Sequence, residues 1–177
     1  MATTKWTMDA AHSEIQFKVR HMVVSNVTGS FGKFNADVET EGEDITTAKV
    51  HFTADIDSIS TNNEQRDNHL KSADFFDGAT HPQLTFESTK IEKVDGSDYK
   101  MHGNISIRGT VKPITLNVEF GGIVKDPWGN ERAGFTVEGK LNRKDFGLSW
   151  SAVTEAGHLV VSDDVRIHAN AEFIKQA

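Results

Sequence analysis

Arg66, Asp67 and His69 stand within one run of four residues, and their types suit two kinds of chemistry. A carboxylate beside an imidazole could move a proton, and a guanidinium beside both could hold the polar end of a ligand. Arg66 and His69 lie three positions apart and would share one face of a helix, with Leu70 turned inward beside them. A solvated, salt-bridged helix surface would use the same residues, so the spacing alone leaves both readings open.

The histidines at 12, 21, 51, 69, 81, 102, 158 and 168 offer a second possibility. His12, His21, His69 and His81 flank strand ends or the one helical break, where they could converge on a metal. No two histidines have the i, i+4 spacing of a helical ligand pair, and the expectation is hydrogen bonding at junctions with no metal. His12 and Ser13 are neighbours in extended chain and would point to opposite faces, so they do not form a nucleophile and its base. The sequence contains no glycine-rich phosphate cradle, no G-x-S-x-G turn and no H-E-x-x-H helix. It also contains no cysteine, which removes thiol chemistry and disulfides.

The elements that position these residues are mostly strands. Ile15, Phe17 and Val19 alternate with Glu14, Gln16, Lys18 and Arg20, the pattern of a strand with one dry face. Phe31 has odd parity but Phe34, Ala36 and Val38 are even, so a bulge or sharp bend is predicted at Gly32-Lys33. The alternation continues through Val50–Ile56, Leu84–Ser88 with a slip before Ile91, Tyr99–Ile107, Ile114–Phe120, Ala133–Leu141 and Val165–Phe173. These segments make one all-β domain over residues 1–177. The predicted architecture is a single antiparallel up-and-down barrel of about eight strands, although a sandwich would alternate in the same way.

Two segments break the period. In the first, near 62–77, Thr61 and Glu64 have capping-box spacing, Leu70, Ala73 and Phe76 recur at near-helical intervals, and Gly78 is a stop. The second, near 143–162, reads as a long loop. The dry faces mix Phe with Ala36, Ala54, Gly103, Gly139, Ala169 and Ala171, which would leave room inside a barrel. Phe17, Phe31, Phe52, Phe86, Phe120 and Phe135 are core residues in any fold, and become ligand contacts if the barrel is hollow.

The formal charge of −7 and pI near 5.6 argue against a nucleic-acid partner and favour a neutral or apolar ligand. No stretch is apolar enough to be a transmembrane segment. The N-terminus does not read as a signal peptide, so a cytoplasmic address is expected, or a periplasmic one if a leader has been removed.

Trp6 followed by DAAHSEIQFKVRHM, then SNVTGSFGKF, NNEQRDNHLKSADFFD, HPQLTFES, GNISIRGTVKPITL, GFTVEGKLNRKDFGLSW and SDDVRIHANAEF, resembles the YceI-like family, in order and over nearly the whole chain. The resemblance implies a lipocalin-like barrel whose elongated apolar tunnel binds a polyisoprenoid, such as a polyprenyl chain or an isoprenoid quinone. It implies a carrier, store or sequestering protein rather than an enzyme, with no required cofactor and with homodimerisation in its range; many members are periplasmic. By this analogy Phe17, Val19, Phe31, Phe52, Ile56 and Phe86 contact the ligand, as do Ile107, Phe120, Phe135 and Trp150. Leu70, Phe75 and Phe76 would seal the tunnel, and His12, His21, Arg66, Asp67 and His69 would form its polar rim.

A quinone head suits an acidic protein, which would repel a pyrophosphate unless Arg20, Arg66 or another cation stands at the mouth. Two rival readings are an enzyme that acts on an apolar or isoprenoid substrate through Asp67, His69 or His21, and a filled barrel serving as a stress-response interaction module.

Overall fold

The computed structural model describes residues 3–21, 25–148 and 162–176. Its strands are β1 (Thr3–Met8), β2 (Glu14–His21), β3 (Ser25–Phe31), β4 (Phe34–Glu41), β5 (Asp44–Asp55) and β6 (Ile59–Ser60). After helix α1 (Glu64–Lys71) come β7 (Gln83–Asp95), β8 (Asp98–Ile107), β9 (Thr110–Lys125), β10 (Glu131–Asn142) and β11 (Asp164–Lys175). All pairings are antiparallel, and the ring β1-β4-β5-β7-β8-β9-β10-β11 closes on itself through β1 and β11. The chain therefore folds as a closed eight-stranded antiparallel barrel, with β2, β3 and β6 extending one end.

The extension arises because the first two wall strands are each broken. β11 holds β1 through Phe173–Lys175 and β2 through Arg166–Asn170, so β1 and β2 lie end to end along one edge of the same strand. Between them Asp9 caps a 3-10 turn, Ala10–His12, by accepting from the Ala11 N–H at 3.1 Å. Ser13 Oγ donates to the Asp9 carbonyl at 2.7 Å and accepts from the Glu172 N–H at 3.0 Å, tying the break to β11.

The bend expected from the parity change at Gly32-Lys33 separates β3 from β4. There the Gly32 N–H donates to Ser58 and the Lys33 carbonyl accepts from Asp55. The expected slip before Ile91 is a β-bulge between Ser88 and Lys90. A further bulge leaves Gly121 unpaired between Phe120 and Gly122, opposite Gly134–Phe135.

The helical insertion is shorter than 62–77. Asn63, not Thr61, caps α1, its Oδ1 accepting from the Arg66 N–H at 3.0 Å. After Lys71 the chain continues in hydrogen-bonded turns, in which Phe75 donates to Ser72, Phe76 to Leu70 and Gly78 to Lys71. Ser72 ends the helix by returning its hydroxyl to the His69 carbonyl.

Arg132 on β10 fastens the end of the barrel away from α1. Its Nε donates to Asp126 Oδ2 at 2.7 Å, and its Nη1 to Asp9 Oδ2 at 2.8 Å and Glu172 Oε2 at 2.9 Å. One guanidinium thus joins the β1–β2 break, the β9–β10 turn and β11. The Arg132 hydrogen bond first, and one between His12 Nδ1 and Asp9 Oδ2 second, hold the Asp9 carboxyl down at about 2, and Asp126 is lowered by the same guanidinium.

A depressed carboxyl stabilises the fold above its ordinary range and loses that contribution as pH falls through the depressed value. Arg132→Gln should therefore destabilise the barrel most at neutral pH, with the deficit relative to wild type shrinking between about pH 4 and pH 2. Urea denaturation across that interval checks this; a constant deficit would contradict it.

Candidate functional site

The barrel encloses a cavity of about 580 Å³ that runs from Trp6, Val38 and Ile45 at one end to α1 at the other. Its wall comes from the inward parity of the strands, through side chains such as Val50, Phe86, Met101 and Leu116. The alanines create the space: Ala36, Ala54, Ala169 and Ala171 all line it. The glycines expected to do the same are already covered. A Cβ on Gly103 would lie 2.5 Å from the Phe86 ring, and one on Gly139 would lie 2.3 Å from Leu116.

Of the expected ligand contacts, Phe17, Val19, Phe31, Phe52, Phe86, Ile107 and Phe135 line this cavity, as do Leu70, Phe75 and Phe76 from the α1 segment. Phe76 meets Phe31 edge-on at 6.2 Å, and Phe31 packs on Phe17 at 5.7 Å, so an aromatic cluster borders the α1 end.

Two expected contacts are not in the lining. Ile56 leaves the ladder where β5 gives way to a 3-10 turn, and its side chain is buried against Gly78. Phe120 stacks on Phe135 at 5.1 Å, behind the residue that does face the cavity. Trp150 lies outside the described residues.

The polar expectations divide similarly. Arg66 and His69 line the cavity, joined by Thr61, Asn63 and Gln65. Asp67 does not; its Oδ1 accepts from both the N–H and the hydroxyl of Thr61, at 2.8 and 2.6 Å. Thr61 Oγ1 in turn accepts from Arg66 Nε at 2.7 Å, and the Thr61 carbonyl accepts from Arg66 Nη2 at 2.7 Å. The carboxylate thus orients the guanidinium through Thr61 rather than by direct contact.

His12 is not at the rim. It is exposed and sits 2.8 Å from Asp9 and 3.6 Å from Glu172, because the β1–β2 break turns it onto the Arg132 cluster. His21 closes β2 opposite Ser25.

His69 Nε2 lies 2.8 Å from Asp74 Oδ2, and its ring meets Phe75 edge-on at 5.1 Å. Arg143 stands over the same phenyl ring at 5.8 Å. Arg143 falls in the segment expected to be a loop, yet only 3 % of it is exposed. Its Nε donates to the Ser162 carbonyl at 3.0 Å, Nη1 donates to the Leu148 carbonyl, and Nη2 is 3.7 Å from Asp163. Burial pushes its pKa down and Asp163 opposes that shift.

Trp6 lines the cavity too, although nothing in the sequence around it marks it as doing so. It is buried in β1, a strand too short to show alternation clearly, and its indole N–H donates to Thr40 at 3.0 Å.

Among the described residues, Asp9, His12 and Glu172 form the one set whose donor atoms gather closely enough for a metal. The Arg132 guanidinium already occupies the two carboxylates, so an ion would have to displace it. His12, His69 and His81 do not gather into such a set with one another; the side chain of His21 lies outside what the structure describes.

The Asp67–Thr61 contact has a measurable consequence. Thr61 is 4 % exposed, so Asp67→Ala strands a buried N–H and hydroxyl and should destabilise the fold by roughly 1–3 kcal/mol. Asp67→Asn keeps an acceptor oxygen and should lose much less. Equal denaturation midpoints for Asp67→Ala and wild type would show that the contact is dispensable.

The YceI-like domain family matches residues 6–173. The chain is 38% identical over 171 residues to the UPF0312 protein SA2479 of Staphylococcus aureus (strain N315), covering 96% of this chain and 97% of that one. The crystal structure of the Campylobacter jejuni YCEI protein superposes with a TM-score of 0.77 at 35% identity, over 89% of this chain and 90% of that one. A polyisoprenoid binding domain from Saccharophagus degradans, implicated in plant cell wall breakdown, shares the fold with a TM-score of 0.67 at 16% identity, covering 97% and 98% of the two chains. With a closed barrel of the same form and a match across nearly its whole length, this chain belongs to the YceI-like family.

Proposed function

We propose that this protein binds a long isoprenoid lipid inside its barrel and carries, stores or sequesters it without chemical change. The observation that supports this most is the cavity itself, about 580 Å³ of almost wholly apolar wall enclosed by a continuous hydrogen-bonded ring. That volume falls within the usual range of small-molecule sites. Each buried methylene contributes roughly 0.8 kcal/mol, so an extended hydrocarbon gains affinity along its length without a strong polar anchor. The Saccharophagus degradans domain with the same fold is described as binding polyisoprenoid, which supports the ligand class.

A binding role also agrees with the disposition of the groups that could have served as acid and base. Asp67 is directed onto Thr61, and His69 is hydrogen-bonded to Asp74. Leu70, Phe75 and Phe76 serve in this reading as the apolar closure of the α1 end. The Arg132 cluster takes no part in binding.

Ala171→Phe places a ring where the lipid would run, at a half-buried position that lines the cavity. Excluding as few as roughly two methylenes lowers affinity about tenfold. The variant should keep the β-sheet circular dichroism of wild type and lose at least about that factor in geranylgeraniol affinity. A folded variant that binds geranylgeraniol as tightly as wild type would place the lipid elsewhere.

A further inference from the structure

The end of the cavity away from α1 is closed by side chains that other groups hold in place. Trp6, Val38, Thr40 and Ile45 line it there, and all four are buried. An indole in an apolar site needs an acceptor for its one N–H. Trp6 uses the Thr40 hydroxyl, which donates in turn to the Gly42 carbonyl at 2.6 Å. Gly42 takes a left-handed φ of 58° in the turn between β4 and β5. The hydroxyl thus serves as donor and acceptor together, and the indole is tied to the main chain of that turn.

Ile45 reaches the cavity by a different device. Ala48, Val50, Phe52 and Ala54 line it on the even positions of β5, and Ile45 is odd. Between the pairs Glu39–Lys49 and Glu41–Asp44, residues 45–48 of β5 stand opposite Thr40 alone. Side chains fix this bulge. The Thr46 N–H and hydroxyl donate to Asp44 Oδ1 at 3.0 and 2.6 Å. The Thr47 hydroxyl donates to the Asp44 carbonyl at 2.6 Å and accepts from the Glu41 N–H at 2.8 Å. A bulge re-aims the side chains around it, and this one brings Ile45 inward against the parity of its strand. A chain lying along the cavity therefore meets a fixed wall at this end.

Resting on the isoprenoid reading above, we infer that Trp6, held by Thr40, and Ile45 form a floor that sets the longest prenyl chain the barrel accepts whole. Short of the floor, each added isoprene unit leaves water for an apolar wall and gains affinity. Beyond it, a further unit stays in water or forces packed side chains out of place, and the gain ends.

The test is a competition among equimolar all-trans prenols, from farnesol to solanesol in steps of one isoprene unit, read by native mass spectrometry on the intact protein. Occupancy should rise by at least about tenfold per unit, the gain from burying only roughly two of its carbons, and then stop rising at one length. Trp6→Ala should move that limit to a longer prenol, which regains at least about tenfold over its shorter neighbour. Ile45→Ala removes less of the core and should move the limit in the same direction. It also provides the test if circular dichroism shows that Trp6→Ala does not fold. A purely structural role would weaken all prenols together and leave the limit where it was.

Wild-type occupancy that keeps rising through solanesol would overturn the floor. The chain would then leave the wall, and a gap exists where the β5–β7 ladder stops at His51–Glu87 and the Val50 N–H turns to Ser88 Oγ. A limit unmoved in folded Trp6→Ala would overturn the assignment to the indole, and one unmoved in Ile45→Ala would overturn the part given to Ile45. Both results would leave the isoprenoid reading intact. Failure of wild type to bind any prenol of the series would overturn that reading itself.

Discussion

A hollow barrel depends on a wall that needs nothing from its interior, and here that condition rests on β11. This strand pairs β10 along one edge and both β1 and β2 along the other, so the ring closes even though its first strand is broken. Closure removes sheet edges and satisfies the wall's peptide groups within the wall. The interior can then be apolar from end to end, with polar lining concentrated where α1 and the 3-10 turn after β10 approach. Arg132 holds this seam from outside by joining the β1–β2 break, the β9–β10 turn and β11.

The breaks also set the asymmetry of the two ends. Beyond Gly32-Lys33, β3 pairs with β2 and the two-residue β6 rather than with β5. The sheet therefore diverges from the ring at that end, and α1 with its following turns lies against the divergence. An apolar cavity left empty forfeits the dispersion contacts that a filled core would have. A ligand that fills it binds only the folded state and raises stability in proportion to the logarithm of its concentration over its dissociation constant. Binding and folding are coupled in this architecture through the same lining residues.

Much of this was legible in the sequence because a strand's period of two is hard to disguise. Ile15, Phe17 and Val19, or Met101, Gly103 and Ile105, announce one inward face, and the parity change after Phe31 announced the bend. Failures came where local chemistry overrides the period. Ile56 has the right parity, but the chain leaves the ladder at Asp55 and turns it under Gly78. His12 looked like a rim residue until the 3-10 turn carried it onto Asp9 and Glu172. Gly103 and Gly139 looked like sources of space, although only a long-range packing pattern reveals that Phe86 and Leu116 fill them. Arg143 was the least legible, since a charged side chain is normally read as solvated and its partners on Leu148 and Ser162 belong to the tertiary fold.

The central claim is that the enclosed cavity holds one isoprenoid chain. Native mass spectrometry of gently purified protein, before and after incubation with geranylgeranyl diphosphate and an isoprenoid quinone, tests it most directly, with organic extraction to identify what is released. The account predicts a single discrete lipid mass per chain, retained until the barrel unfolds. A folded protein that stays unliganded with both lipids in excess would contradict it.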